Sequence, residues 1–195
     1  MLINDASSYF GDVARVIANM PFAAIDRIVN VLLEAYESSR RIYLFGNGGS
    51  AALASHFACD LGKGAANGSG KRFQAMALTD NIPMMTAWAN DSHYEDIFAE
   101  QLVNFVRPGD VVLAISGSGN SPNVLKALKV ARDAEAFTIG LTGFRGGQMR
   151  DLCDVCLIVP SDNMQIIEDL HLSVTHAVFT SIRAKICQAS QEAVA

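Results

Sequence analysis

Basic residues are sparse in this chain. Lys and Arg number 15 against 20 Asp and Glu, giving a net charge of −5, and nowhere do they form a run. Binding to a nucleic-acid backbone needs clustered cations, so no nucleic-acid partner is expected. Long apolar runs are also missing: no stretch approaches the ~20 residues that cross a bilayer. The N-terminus has no charged, apolar, small-residue leader pattern. A cytoplasmic protein with no membrane partner is the expectation. Cysteine is scarce, at 4 residues. Cys59 and Cys187 fall in helical patterns, where a small hydrophobe is ordinary. Cys153 and Cys156 form a C-x-x-C leading into the apolar run 155–159, and along a strand their sulfurs would face opposite sides. No second pair completes a four-cysteine zinc site, so neither a disulfide framework nor a structural metal is expected.

What the chain has instead is apolar residues, half of its 195. That suffices for one domain over residues 1–195 with a sizeable core, and favours some burial between subunits. Residues 1–40 read as helical: Phe10, Val13, Ala14 and Ile17, then Ile25, Ile28, Val29, Leu32, Leu33 and Tyr36, recur at three- and four-residue spacing, with Pro21 dividing two helices. From 41 to 195 strands and helices alternate. Strand 42–45 leads to helix 50–61 and a glycine-rich loop over 62–70. Strand 73–78 precedes a helix beginning at 81–83 and a helical stretch over 94–105. Strand 111–115 leads to helix 122–134, with Ser121 at the N-cap and Pro122 at its first position. Strand 137–141, a short helix after Gly146-Gly147, strand 155–159 and a long helix over 163–190 complete the chain. Continuous apolar strands alternating with helices predict an α/β fold, a doubly wound parallel sheet covered on both faces.

Two loops stand out. Gly46-Asn47-Gly48-Gly49-Ser50 and Ser116-Gly117-Ser118-Gly119-Asn120-Ser121 each join a predicted strand to a predicted helix. Small residues there leave free backbone N–H groups at a helix N-terminus, which suits an anion. Neither loop has the lysine of a nucleotide P-loop. The first fits G-x-G-x-x-A, but no acidic residue follows the next strand at the offset a dinucleotide site needs. Two serine-bearing loops point to a phosphorylated sugar, and no nucleotide cofactor is expected.

Candidate ionisable groups lie on two predicted helices. His56 and Asp60 are four residues apart, about 40° around the axis, on one face. Glu168 and His176 are about 80° apart in angle and about 12 Å apart along the last helix. His171 lies about 140° from His176 and is expected to pack or cap instead. Lys63, Lys71 and Arg72 form either a rim that closes over an anion or a solvated edge.

The strings Gly46-Asn47-Gly48-Gly49-Ser50-Ala51-Ala52, Ile115 through Val124, and Leu141-Thr142-Gly143-Phe144-Arg145-Gly146-Gly147 resemble the sugar isomerase (SIS) domain family. Within it they are similar to the phosphoheptose isomerases, which interconvert sedoheptulose 7-phosphate and glycero-manno-heptose 7-phosphate. The resemblance implies a five-stranded parallel sheet and a homotetramer with active sites between subunits. It implies a phosphate cradle of Ser116, Gly117, Ser118 and Ser121, with Gly117 where the family often has threonine. Asn47, Gly48, Gly49, Ser50, Asn90 and Asp91 would line the sugar, with Glu168. Asp60 and His176 would be catalytic, and His56, Asp60, Glu168 and His176 would hold a Zn²⁺ ion. Asp60 stands where the family usually has glutamate and Glu168 where it has glutamine. Isomerisation of another phosphosugar, or phosphosugar binding without catalysis, stays open as an alternative.

Overall fold

The computed structural model describes residues 5–65 and 71–192. The end of the predicted 62–70 loop, residues 66–70, lies outside the described residues. Two helices come first, α1 (Ala6–Ile17) and α2 (Phe22–Glu37). The Asp5 carboxylate accepts from the Ser8 amide at 2.8 Å and caps α1. Pro21 stands at the N-cap of α2, the break expected there. No single described helix is long and apolar enough to cross a membrane, and the α1–α2 pair is bent by 71°.

Five parallel strands form one sheet in the order β2-β1-β3-β4-β5. They are β1 (Arg41–Gly46), β2 (Gln74–Ala77), β3 (Val111–Ile115), β4 (Phe137–Thr142) and β5 (Val155–Ile158). The inner strands β1, β3 and β4 are buried almost end to end, which is why each reads as a continuous apolar run. Their side chains alternate between two cores. Ile42, Leu44, Leu113, Ile115, Ile139 and Leu141 pack against α2, α3 (Gly49–Cys59) and the final helix. Tyr43, Phe45, Val112 and Ala114 face the opposite way, toward α5 (Ala99–Phe105) and α6 (Pro122–Asp133). The remaining helices are α4 (Ile82–Asp91), α7 (Met149–Leu152) and α8 (Met164–Glu192).

The structure adds detail to the expected elements and departs from some of them. The helix expected over 50–61 ends at Cys59, and residues Asp60–Gly64 form a π-helical turn. Gly64 lies where a Cβ would stand 2.6 Å from the Phe179 ring of α8, so the widened turn packs directly on that helix. The stretch 94–105 divides into a 3₁₀ turn, Tyr94–Asp96, and α5; Leu78 likewise begins a 3₁₀ turn instead of closing β2. The short helix begins at Met149, because Gly146 and Gly147 both take positive φ, 90° and 54°. Lys71 donates to the Glu37 carbonyl at 2.7 Å and lies over the Tyr36 ring, next to the end of α2. Finally, Cys153 and Cys156 do not face opposite sides. Cys153 precedes β5, so strand alternation does not reach it, and both sulfurs lie against Gly140 of β4.

Candidate active site

In this strand order the chain leaves β1 toward β2 on one side and later returns to β3 on the other. The C-terminal ends of β1 and β3 therefore flank the switch point at which open α/β sheets bind ligands. Both glycine/serine loops emerge there, the first into α3 and the second into α6.

The serine loop gathers its hydroxyls. Ser116 Oγ is 3.1 Å from Ser121 Oγ and 3.5 Å from Ser118 Oγ, and Ser118 Oγ accepts from the Asn120 amide at 3.2 Å. Ser121 holds the expected N-cap position of α6, but its side chain does not cap; it turns to Ser116 instead. Pro122 has no N–H and the Val124 amide donates to Asn123 Oδ1 at 3.0 Å, which leaves the Asn123 amide in the first turn of α6 for an anion. Gly119 has φ 65°, and a Cβ there would lie 2.1 Å from the Gly146 carbonyl oxygen, so only glycine lets the two loops close. At Gly117 a Cβ would meet Met164 Sδ at 2.5 Å. The methionine at the start of α8 occupies the space that the family's threonine side chain would take.

Asn47 is committed to the neighbouring loop. Its Nδ2 donates to Asn123 Oδ1 at 2.9 Å, Asn123 Nδ2 donates back at 2.8 Å, and the Tyr94 hydroxyl donates to Asn47 Oδ1 at 3.2 Å. Tyr94 is held by a turn that Asp96 anchors. This buried carboxylate pairs with Lys126 of α6 and accepts from Ser92, bonds that keep it below the usual carboxylate range. Asn90 and Asp91 lie exposed at the end of α4, Asn90 donating to Asp91 at 2.7 Å. Asn123 and Tyr94 were not among the residues that spacing pointed to. Asn123, directly after Ser121-Pro122, carries the only sequence signal: a polar residue at the second position of a helix that is otherwise apolar on its inner face.

Helices α3 and α8 lie side by side and in the same direction, since Gly49 meets Glu168 at one end and Gly64 meets Phe179 at the other. This alignment brings the ionisable groups together. His56 Nε2 is 3.0 Å from His176 Nε2 and 3.3 Å from Asp60 Oδ2, and His176 Nε2 is 4.0 Å from the same oxygen. The four-residue spacing of His56 and Asp60 survives the π turn because Asp60 itself keeps αR backbone angles. His56, Asp60 and His176 could hold a metal ion, their ligand atoms all within 4.8 Å of one another. Two imidazoles and a carboxylate form a donor set that suits Zn²⁺. Glu168 is not in that group. Its carboxylate lies 3.7 Å from where a Gly49 Cβ would be, at the N-terminal end of α3, which is the axial offset expected along α8. A cavity of about 280 Å³ runs from Glu168 as far as His56, lined by Gly49, Ser50, His56, Glu168 and His171 among others.

His171 packs, as expected. It is 1 % exposed, its Nε2 is 3.1 Å from the Thr142 carbonyl oxygen, and its Nδ1 has no partner. Burial pushes its pKa down to about 4, against a smaller opposite effect of the Thr142 bond. The ring is therefore neutral near pH 7, and with Nε2 protonated it donates to Thr142. The Thr142 hydroxyl in turn donates to the Gly117 carbonyl at 3.3 Å, which ties α8 to the serine loop.

The arrangement defines a phosphosugar-type site at the switch point of a parallel α/β sheet, and the SIS domain model matches residues 8–143. The chain belongs to the SIS domain family. It is 39 % identical over 181 residues to a probable phosphoheptose isomerase of Thermoplasma acidophilum, covering 93 % of this chain and 99 % of that protein. It is 42 % identical over 153 residues to the phosphoheptose isomerase of Helicobacter pylori, covering 78 % and 79 %. The solved phosphoheptose isomerase of Neisseria gonorrhoeae superposes with a TM-score of 0.84 at 31 % identity, over 91 % of this chain and 96 % of that one. Within the SIS family, the branch this chain belongs to is that of the phosphoheptose isomerases.

Proposed function

We propose that the chain is an aldose–ketose isomerase converting sedoheptulose 7-phosphate to D-glycero-D-manno-heptose 7-phosphate through an enediol. The carrying observation is the His56–Asp60–His176 cluster, set between α8 and the end of the helix that opens at the first glycine loop. The phosphate binds the hydroxyls of Ser116, Ser118 and Ser121 and the Asn123 amide at the start of α6, far from the reacting carbons, and that anchoring supplies orientation. Asn47, Gly48, Gly49, Ser50, Asn90, Asp91 and Glu168 line the sugar chain. Asp60 removes a proton from C1 and returns it to C2. His176 protonates the C2 carbonyl oxygen and collects the proton from the C1 hydroxyl, while His56 holds both groups in register. Each proton transfer needs a heavy-atom approach of roughly 2.6–3.2 Å, so the shorter reach of Asp60 relative to glutamate places the substrate closer to α3.

His56, Asp60 and His176 would hold a Zn²⁺ ion, and bound there the ion would polarise the two substrate oxygens in place of the proton that His176 supplies in the metal-free site. The imidazoles are 49 % and 50 % exposed, which supports a second subunit covering this face within a homotetramer. Residues 1–195 act as one unit, in the cytoplasm. Turnover of sedoheptulose 7-phosphate by metal-stripped protein, with and without Zn²⁺, tests the reading. Asp60→Asn should lower kcat by about 10²–10⁴-fold with the melting temperature retained. Undiminished turnover by that variant would remove Asp60 from the chemistry. Failure of the native protein to isomerise the sugar, with or without Zn²⁺, would overturn the assignment.

A further inference from the structure

The C-x-x-C at 153–156 has a geometry that the linear spacing does not suggest. Cys153 ends α7 with φ −99° and ψ 140°, and Cys156 is the second residue of β5, paired in register with Gly140. A Cβ on Gly140 would lie 2.8 Å from Cys153 Sγ and 3.3 Å from Cys156 Sγ. Both sulfurs thus converge on the one position of β4 that carries no side chain, and the missing methyl leaves room for them. Each is partly accessible, whereas Cys59 and Cys187 are exposed and lie on other helices; all four are free thiols.

We propose that Cys153 and Cys156 form a reversible dithiol–disulfide site whose oxidant is a hydroperoxide, independently of the isomerase reading. The pair is asymmetric. The neighbouring Cys153 thiol holds the Cys156 pKa below the ordinary thiol value; Arg150 adds to this, while burial and Asp151 oppose it. Cys153 is pushed upward by the neighbouring Cys156 and by burial, with Asp154 adding and Arg132 opposing. Cys156 is therefore the attacking thiolate and Cys153 the resolving group. The Cys156 sulfur attacks one peroxide oxygen, the O–O bond breaks, and the departing hydroxide takes a proton to become water. The resulting sulfenic acid is attacked by the Cys153 sulfur, the S–S bond forms, and the S–OH oxygen leaves with the Cys153 proton as a second water. Two electrons pass from the dithiol to hydrogen peroxide, and no other reactant is needed.

The test uses the full reduced protein, exposed to a small excess of hydrogen peroxide, alkylated and digested for mass spectrometry. The fragment holding residues 153–156 should be two hydrogens lighter, carry no alkyl label, and recover both labels after dithiothreitol. In Cys153→Ser, dimedone should label Cys156; in Cys156→Ser, Cys153 should remain alkylatable. Full labelling of both cysteines while Cys59 or Cys187 is oxidised would overturn the site. So would conversion to sulfinic acid without a linkage. Dimedone labelling of Cys153 but not Cys156 would overturn the assigned roles.

Discussion

His171 should make the fold acid-sensitive in a way one substitution can remove. An ordinary imidazole titrates near 6.5, and burial lowers this one to about 4. Above pH 6.5 the ring is neutral folded or unfolded, and its contribution to stability is whole. As the pH falls below 6.5 the unfolded ring binds a proton that the native ring refuses, so stability drops until the native ring also titrates near 4. Linkage across that gap amounts to about 2 kcal/mol at pH 5 and about 3 kcal/mol at pH 4. Glutamine cannot titrate and can still donate to Thr142. His171→Gln should therefore lose about 2 kcal/mol less than the native chain between about pH 7.5 and pH 5, whatever packing it forfeits at both. Urea unfolding followed by the fluorescence of Trp88, the sole tryptophan, measures this at matched protein concentration. Carboxylate titration is common to both proteins and cancels. Equal acid losses in the two, within about 0.5 kcal/mol, would refute the buried neutral ring.

Three further outcomes follow from the loops and the cluster. Ser121→Ala should raise KM for the phosphosugar by roughly 10- to 100-fold, the worth of one hydrogen bond to a charged group. Because the Ser121 side chain does not cap α6, its melting temperature should stay nearly unchanged; a clear fall would make the hydroxyl a cap. Gly119→Ala should cost more than the ~1–3 kcal/mol of a strained backbone angle, since its Cβ would strike the Gly146 carbonyl; denaturant midpoints report it. His176→Ala should abolish the rise in melting temperature that Zn²⁺ gives the native protein, and an undiminished rise would place the ion elsewhere.

Much of the fold was legible because its strands are buried on both faces. Runs such as Val111–Ile115 carry no competing pattern, and Pro21 and Pro122 marked two helix starts correctly. The two loops were legible for a related reason: small residues between an apolar run and a helix have few other uses. His56 and Asp60 could be paired because they are local. His176 could not be placed against them by spacing alone, as their meeting depends on α8 lying alongside α3. The Asn47–Asn123 contact joins residues from different strand–helix connections, and nothing local announces it. The π turn was invisible because Asp60–Gly64 has the composition of an ordinary glycine-rich helix end, and its close contact with Phe179 is made across 115 residues of chain. The facing of the cysteine pair was misread by extending strand alternation two residues back from Val155, to the residue that follows α7.

The reciprocal amides of Asn47 and Asn123 form a clasp without charge. A salt bridge in the same place would set a cation or carboxylate beside the phosphate and would weaken with ionic strength. Two neutral amides do neither. The loops after β1 and β3 are thus joined to each other while their amide dipoles are left to the incoming anion. Salt should then slow the arrival of the sugar phosphate without loosening the mouth that receives it.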